Sequence, residues 1–126
     1  MKEKVKYYKC PVCGNVIEVI SGDVKRVRCC NQEMELLVAN TIDASLEKHV
    51  PVYEIDNNEI IVKVGDVIHP MEEKHYIMWI SLVSDDKVIR VDLNPGDEPV
   101  VRFPYVEGAI IYEYCNLHGL WKNTIK

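Results

Sequence analysis

Four of the five cysteines fall within the first thirty residues, as Cys10-x-x-Cys13 and the adjacent pair Cys29-Cys30. The apolar residues there (Val5, Val12, Val16, Ile17, Val19, Ile20, Val24 and Val27) are too few to form a core of their own. In segments shorter than about 40 residues a structural metal usually takes over that role. The segment is therefore expected to fold around an ion, leaving enough chain for an ordinary domain of about 90 residues. We place the boundary near residue 38, giving a metal-stapled module over 1–37 and a second domain over 38–126.

Composition narrows the setting. The opening residues, MKEKVKYYKC, hold no apolar run of the secretory type, and no later stretch approaches the roughly 20 apolar residues of a membrane span. A soluble, cytoplasmic protein is expected, in which thiols stay reduced and clustered cysteines serve metal binding or redox chemistry. The net charge of −5 gives no electrostatic case for binding nucleic acid or an anionic membrane. Residues 1–37 carry seven Lys/Arg against five Asp/Glu, an excess that a four-thiolate iron centre would offset.

Short alternating runs predict strands throughout. In the first segment they cover 5–8, 16–20 and 24–29, with turns at Gly14 and Ser21-Gly22-Asp23. Residues 34–38 and the polar stretch 39–43 read as a link. Beyond it, 52–55, 59–64, 76–83, 87–93, 100–103 and 109–115 alternate or run apolar between turn residues, the spacing of an antiparallel β-sandwich or barrel. Sustained helical periodicity is absent, although residues 43–47 could form one helical turn.

The Cys10-Pro11-Val12-Cys13-Gly14 knuckle can aim two thiolates at one ion, and Cys29 and Cys30 complete a four-sulfur set at the cost of a strained bite. An isolated redox dithiol would leave the second pair unexplained. Four thiolates accept either iron or zinc. A second set uses every remaining histidine and cysteine. His69 precedes Pro70 and is biased toward extended backbone, and His75 opens an apolar strand, so the HPMEEKH segment presents two imidazoles from its ends. Cys115-Asn116-Leu117-His118 adds a thiolate and an imidazole in a C-x-x-H turn, and His49 lies beside Pro51, which marks an edge or loop. Trp121, just past that turn, is expected to cover the site from water.

In order, C-P-V-C-G-N, C-C-N-Q-E-M, E-K-H-V-P-V, H-P-M-E-E-K-H-Y-I and Y-C-N-L-H-G-L-W-K resemble desulfoferrodoxin, the two-iron class of superoxide reductase, from about residue 7 to residue 122. The resemblance implies a small desulforedoxin-like domain with iron at Cys10, Cys13, Cys29 and Cys30. It further implies an immunoglobulin-like antiparallel β-sandwich holding a second iron equatorially by His49, His69, His75 and His118 and axially by Cys115. A homodimer is implied, as is re-reduction by an electron donor such as rubredoxin. Lys48 is implied to attract superoxide and support protonation of the product, and Glu47 to cap the oxidised iron afterwards.

The implied activity is one-electron reduction of superoxide to hydrogen peroxide. Five protein donors leave a six-coordinate iron one open position, where an anionic substrate can enter, and four neutral imidazoles keep the local charge low enough to admit it. An electron carrier would need only the four-cysteine site, and a double-zinc module would not need five donors at its second site. A dismutase is disfavoured because a donating thiolate stabilises the oxidised metal. In extended backbone Glu47 and His49 would share a face and Lys48 would turn away, so bringing both Glu47 and Lys48 to the iron requires an irregular loop.

Overall fold

The computed structural model describes residues 5–22, 27–40, 46–65 and 69–126, with backbone alone at Leu46 and Glu47. Outside the described residues lie 24–26 of the expected strand over 24–29, Asp23 of the preceding turn, 41–43 of the expected link and 43–45 of the expected helical turn. The chain forms two compact units, one of Glu3–Val38 and one containing Ala39–Lys126. The class is all-β, with a single described helical turn. No helix among the described residues is long and apolar enough to cross a membrane.

In the smaller unit β1 (Lys6–Lys9) lies between β2 (Val16–Val19) and β5 (Glu35–Leu36), antiparallel to both. Part of the stretch read as a link is thus the third strand of this sheet, with Tyr8 opposite Leu36. A two-residue strand carries too little alternation to be seen locally, and its partners Tyr8 and Lys9 lie far back in the sequence. β3 (Arg28–Cys29) and β4 (Gln32–Glu33) make a separate hairpin whose two-residue loop is Cys30-Asn31. Both loop residues have positive φ, 53° and 60°, as in the turns that match strand twist in the tightest hairpins.

The larger unit is a sandwich of two antiparallel sheets. One has the order β10 (Val100–Pro104), β7 (Glu59–Val64), β6 (Pro51–Asp56). The other runs β12 (Gly119–Thr124), β11 (Ile110–Cys115), β8 (Ile77–Val83), β9 (Val88–Asp92). Successive strands change sheets after β7, β9 and β10, an immunoglobulin-like arrangement. Pro51 opens an edge strand, where its missing N–H breaks no ladder. Between the sheets Ile60, Val62, Val64, Ile80, Leu82, Phe103 and Ile111 form the buried core.

β12 was not expected, since its Gly119 start and polar second half give no alternating signal, and only its pairing with all of β11 makes it a strand. Asn40 is bound to it. Its amide accepts from Lys122 N at 2.9 Å and donates to Lys122 O at 3.2 Å, and its backbone N–H donates to Leu120 O at 3.0 Å. This ties the start of the sandwich unit to its last strand, each such bond contributing about 1 kcal/mol.

Glu113 carries a carboxyl group into the buried interior. It faces Ile80 and Trp121 across the ladders, and both carboxylate oxygens are buried without a hydrogen-bond partner. Burial raises its pKa well above the ordinary 4.5, so it is held as the neutral acid. A raised folded-state pKa contributes stability that is complete below the ordinary carboxylate range and is lost as pH climbs toward the folded value. Glu113→Gln should therefore gain stability over the wild type between about pH 5 and about pH 8. Thermal denaturation of both proteins at the two pH values checks this, and a melting-temperature difference independent of pH would contradict it.

Candidate metal centres

In the smaller unit the knuckle is closed by Cys10 N–H to Asn15 O at 2.8 Å and Gly14 N–H to Cys10 O at 3.0 Å, with Gly14 at φ 80°. Cys13 N–H points at Cys10 Sγ, 3.5 Å away. The β3–β4 hairpin delivers the other pair, placing Cys29 Sγ 3.6 Å from Cys13 Sγ and 3.9 Å from Cys30 Sγ. All four sulfurs lie within 4.8 Å of one another. A tetrahedron with metal–sulfur bonds of about 2.3 Å has edges of about 3.8 Å, close to the 3.6 and 3.9 Å separations around Cys29. Cys30 carries the strained bite as a left-handed backbone, a conformation that costs a non-glycine residue about 1–3 kcal/mol.

Ionisation of the four thiols is unequal. Cys10 is lowered to about 6 by the backbone N–H groups of Cys13 and Val12, which outweigh burial. Cys29 is raised by its contacts with Cys13 and Cys10, and Cys30 is pushed to about 12 by Cys13, Cys29 and Cys10. The Cys10 thiolate forms readily, and Cys29 and Cys30 keep their protons against it unless a cation is present. The donor set therefore fits a metal ion. Asn15, not singled out from the sequence, donates its side-chain amide to Cys29 Sγ at 3.8 Å. Its place directly after the knuckle is the signal that could have found it.

The second cluster forms where strands of the sandwich begin and end. α1 (Leu46–His49) is a helical turn ahead of β6, with His49 buried and Lys48 exposed. The backbone at 47–49 is thus a helical turn and not extended, so strict alternation does not govern these positions. His75 precedes β8, and its backbone N–H and C=O pair with Glu72 at 3.0 and 2.9 Å to close the HPMEEKH loop. Cys115 ends β11, opposite Gly119 on one side and Ile77 on the other. The β8–β11 register shifts between Tyr114 and Cys115, leaving Met78 unpaired there, and the bulge lets Ile77 and Ile80 both face the core.

Four imidazoles stand at the corners of a square. Centroids of neighbouring rings are 4.7 Å apart for His49–His69, His49–His118 and His69–His75 and 5.1 Å for His75–His118, each pair edge-on. His49 and His75 face each other across it, 6.5 Å apart and within 26° of parallel. His49 Nε2 is 3.0 Å from His118 Nδ1 and 3.1 Å from His69 Nε2. Cys115 Sγ is 3.9 Å from His118 Nδ1. Five donor atoms thus gather within 4.8 Å.

Protons cannot satisfy this cluster. His69 spends one ring nitrogen on Pro70 O at 2.7 Å, which orients Nε2 inward. Burial first, and then the other three imidazoles, lower His69 to about 4 against the opposing carbonyl bond. His75 is lowered by burial, His118 and the Lys48 ammonium, opposed by Glu72, and its Nε2 is buried with no hydrogen-bond partner. Burial raises Cys115, while the backbone N–H groups of His118 and Leu117 pull it down. Converging imidazole nitrogens, an orphaned ring nitrogen and a thiol facing two N–H dipoles fit a thiolate-bound cation.

Trp121 is fully buried. Its indole N–H donates to the main-chain His118 O at 3.1 Å and its ring stacks on His49 at 5.0 Å, so it anchors the His118 backbone and covers the His49 imidazole. Glu47 belongs to α1, and its side chain lies outside the described residues. The expectation that it reaches this site therefore stays with the sequence.

Two family models match the chain. "Desulfoferrodoxin, N-terminal domain" covers residues 2–37 and "Desulfoferrodoxin" covers residues 41–124. The desulfoferrodoxin of Syntrophotalea carbinolica is 53% identical over 124 residues, 98% of each chain. The crystal structure of the superoxide reductase from Treponema pallidum superposes with a TM-score of 0.74 at 30% identity, over 96% of this chain and 99% of that one. A superoxide reductase (1Fe-SOR) from Giardia intestinalis matches 64% of this chain and 98% of its own, with a TM-score of 0.56 at 34% identity. With both models matched along nearly its full length, the chain belongs to the desulfoferrodoxin family.

Proposed function

We propose that this protein is a superoxide reductase, reducing superoxide by one electron to hydrogen peroxide at the second centre. The observation that carries the reading is the ring of four imidazoles with the Cys115 sulfur beside it, five donors where a closed structural site requires four. Cys10, Cys13, Cys29 and Cys30 would hold one iron, and His49, His69, His75, His118 and Cys115 the other. Bound iron supplies the electron and an open coordination position. A four-cysteine electron carrier would leave the second cluster without a role.

The chain's own residues set the conditions for that chemistry. Lys48, exposed on α1 and near enough to act on the charge of His75, attracts the anionic substrate and supports proton delivery to the product. Glu47, its neighbour, is assigned the closing of the site after hydrogen peroxide departs. The Leu117 and His118 N–H groups moderate the Cys115 sulfur, and Trp121 holds water away from His49. We assign the four-cysteine module to residues 1–37 and the catalytic domain to 38–126. A redox partner such as rubredoxin would return the electron. A homodimer is supported by exposed Val12, Ile17, Ile20, Leu36 and Val38 on the small unit. A cytoplasmic location is supported by five free cysteines.

Pulse radiolysis of the reduced, iron-loaded protein tests the activity: one hydrogen peroxide per second-site iron oxidised, without dioxygen, is expected. Release of dioxygen without net iron oxidation would indicate dismutation instead. Lys48→Ala should lower the second-order rate with superoxide about 10-fold at low ionic strength, and an unchanged rate would remove Lys48 from the mechanism. Cys115→Ser should abolish the thiolate-to-iron charge-transfer absorption of the second centre, and its survival would refute the thiolate assignment. Cys13→Ser should slow re-reduction by the donor without altering the first encounter with superoxide. Equal turnover would make the four-cysteine site structural.

A further inference from the structure

Asn116 joins two of the segments that bring donors to the second centre. Its side-chain Oδ1 accepts from Tyr76 N–H at 2.9 Å, its Nδ2 donates to Lys74 O at 3.0 Å, and its own backbone N–H donates to Tyr76 O at 3.2 Å. Lys74 and Tyr76 are the immediate neighbours of His75, and Asn116 itself follows Cys115. The amide is used at both ends by complementary backbone groups, so reversing it would set oxygen against oxygen and N–H against N–H.

The arrangement has a structural cause. β11 pairs with β8 up to Cys115–Ile77 and then leaves the ladder for the C-x-x-H turn. Tyr76 N–H would lose its partner there, and the Asn116 side chain supplies the acceptor that the departing backbone no longer offers. On its other side His75 is already tied to Glu72 by two backbone bonds. His69 is oriented by Pro70 O and His49 by the Trp121 ring, whereas His75 Nε2 is buried with no partner. The position of His75 thus depends on the backbone around it.

We propose that Asn116 is a positioning residue of this centre, clamping the His75 segment to the Cys115–His118 turn so that the fourth imidazole is held at the square independently of the metal. The proposal rests on the metal-centre reading given above and assigns Asn116 no contact with iron or substrate. Residues that support metal ligands in this way typically contribute 10–100-fold in affinity.

The full-length protein is loaded with zinc, and zinc transfer to an excess of chelator is followed. His75→Ala serves to identify the kinetic phase belonging to the second centre. Asn116→Ala is expected to release that zinc about 10–100-fold faster and to leave the four-cysteine phase unchanged. Asn116→Asp, which keeps the size and the bond from Tyr76 but turns an oxygen toward Lys74 O, should fall between wild type and Asn116→Ala. It carries the test alone if Asn116→Ala does not fold. Long-range 1H–15N spectra of the zinc form add a readout that general destabilisation would not reproduce. In the variant His75 alone should lose its metal-bound nitrogen shift, with His49, His69 and His118 retaining theirs. Release within twofold of wild type, or equal loss at all four imidazoles, would overturn the clamp. The readout is zinc, so wild-type protein that holds metal but fails in pulse radiolysis would sink the reductase reading and leave the clamp standing.

Discussion

Converging lone pairs without enough protons to separate them are the constraint around which the larger unit is arranged. His49 Nε2 stands about 3 Å from a ring nitrogen of His69 and one of His118, His75 Nε2 is buried with no partner, and a thiol lies beside them. Such a cluster is repulsive in itself and becomes favourable only around a cation, so the fold has to hold the donors together by other means. It does so with strand termini. The antiparallel ladders bring the start of β8 and the start of β12 to the end of β11, opposite Ile77 and Gly119 at Cys115. His75, Cys115 and His118 sit at or beside these points, and the Ile60, Val62, Leu82 and Phe103 core keeps the points in register.

The smaller unit meets its own constraint differently. Tyr7 and Val5 are almost its whole buried apolar content beside Cys10, so turns rather than sheets position its sulfurs. Gly14 closes the knuckle in a left-handed conformation at little steric cost, while Cys30 adopts the same region with a side chain attached. That strain has a use: in a two-residue hairpin loop it lets adjacent cysteines address one ion. The Cys13 N–H and Asn15 amide directed at sulfur favour the thiolate form that a metal requires.

The two donor sets divide the chemistry between them. Four thiolates at the corners of a tetrahedron enclose an ion and suit one-electron exchange or a structural role. Four imidazoles and one sulfur supply five donors, one fewer than a six-coordinate ion takes. Buried Glu113 introduces no competing charge near these donors because burial keeps it protonated. Alternation already placed it with Ile111 and Cys115 on one side of β11, so its burial was legible in retrospect, whereas its lack of a partner was not.

Residue types and their spacing are enough to settle the donors and the fold class. Every cysteine and histidine falls into one of the two clusters, and the runs expected at 59–64 and 100–103 recur as β7 and β10 within a residue of their bounds. These features are local, fixed by residue type, spacing and a period of two. Tertiary structure alone decided that Glu35–Leu36 is a strand, that Gly119–Thr124 completes the larger sheet, and that His49 leaves a helical turn instead of an extended segment. It also made Asn116 the link between His75 and Cys115. In the sheet and clamp cases the deciding hydrogen bonds join residues distant in sequence, and no local pattern announces a partner that only the folded chain brings into reach.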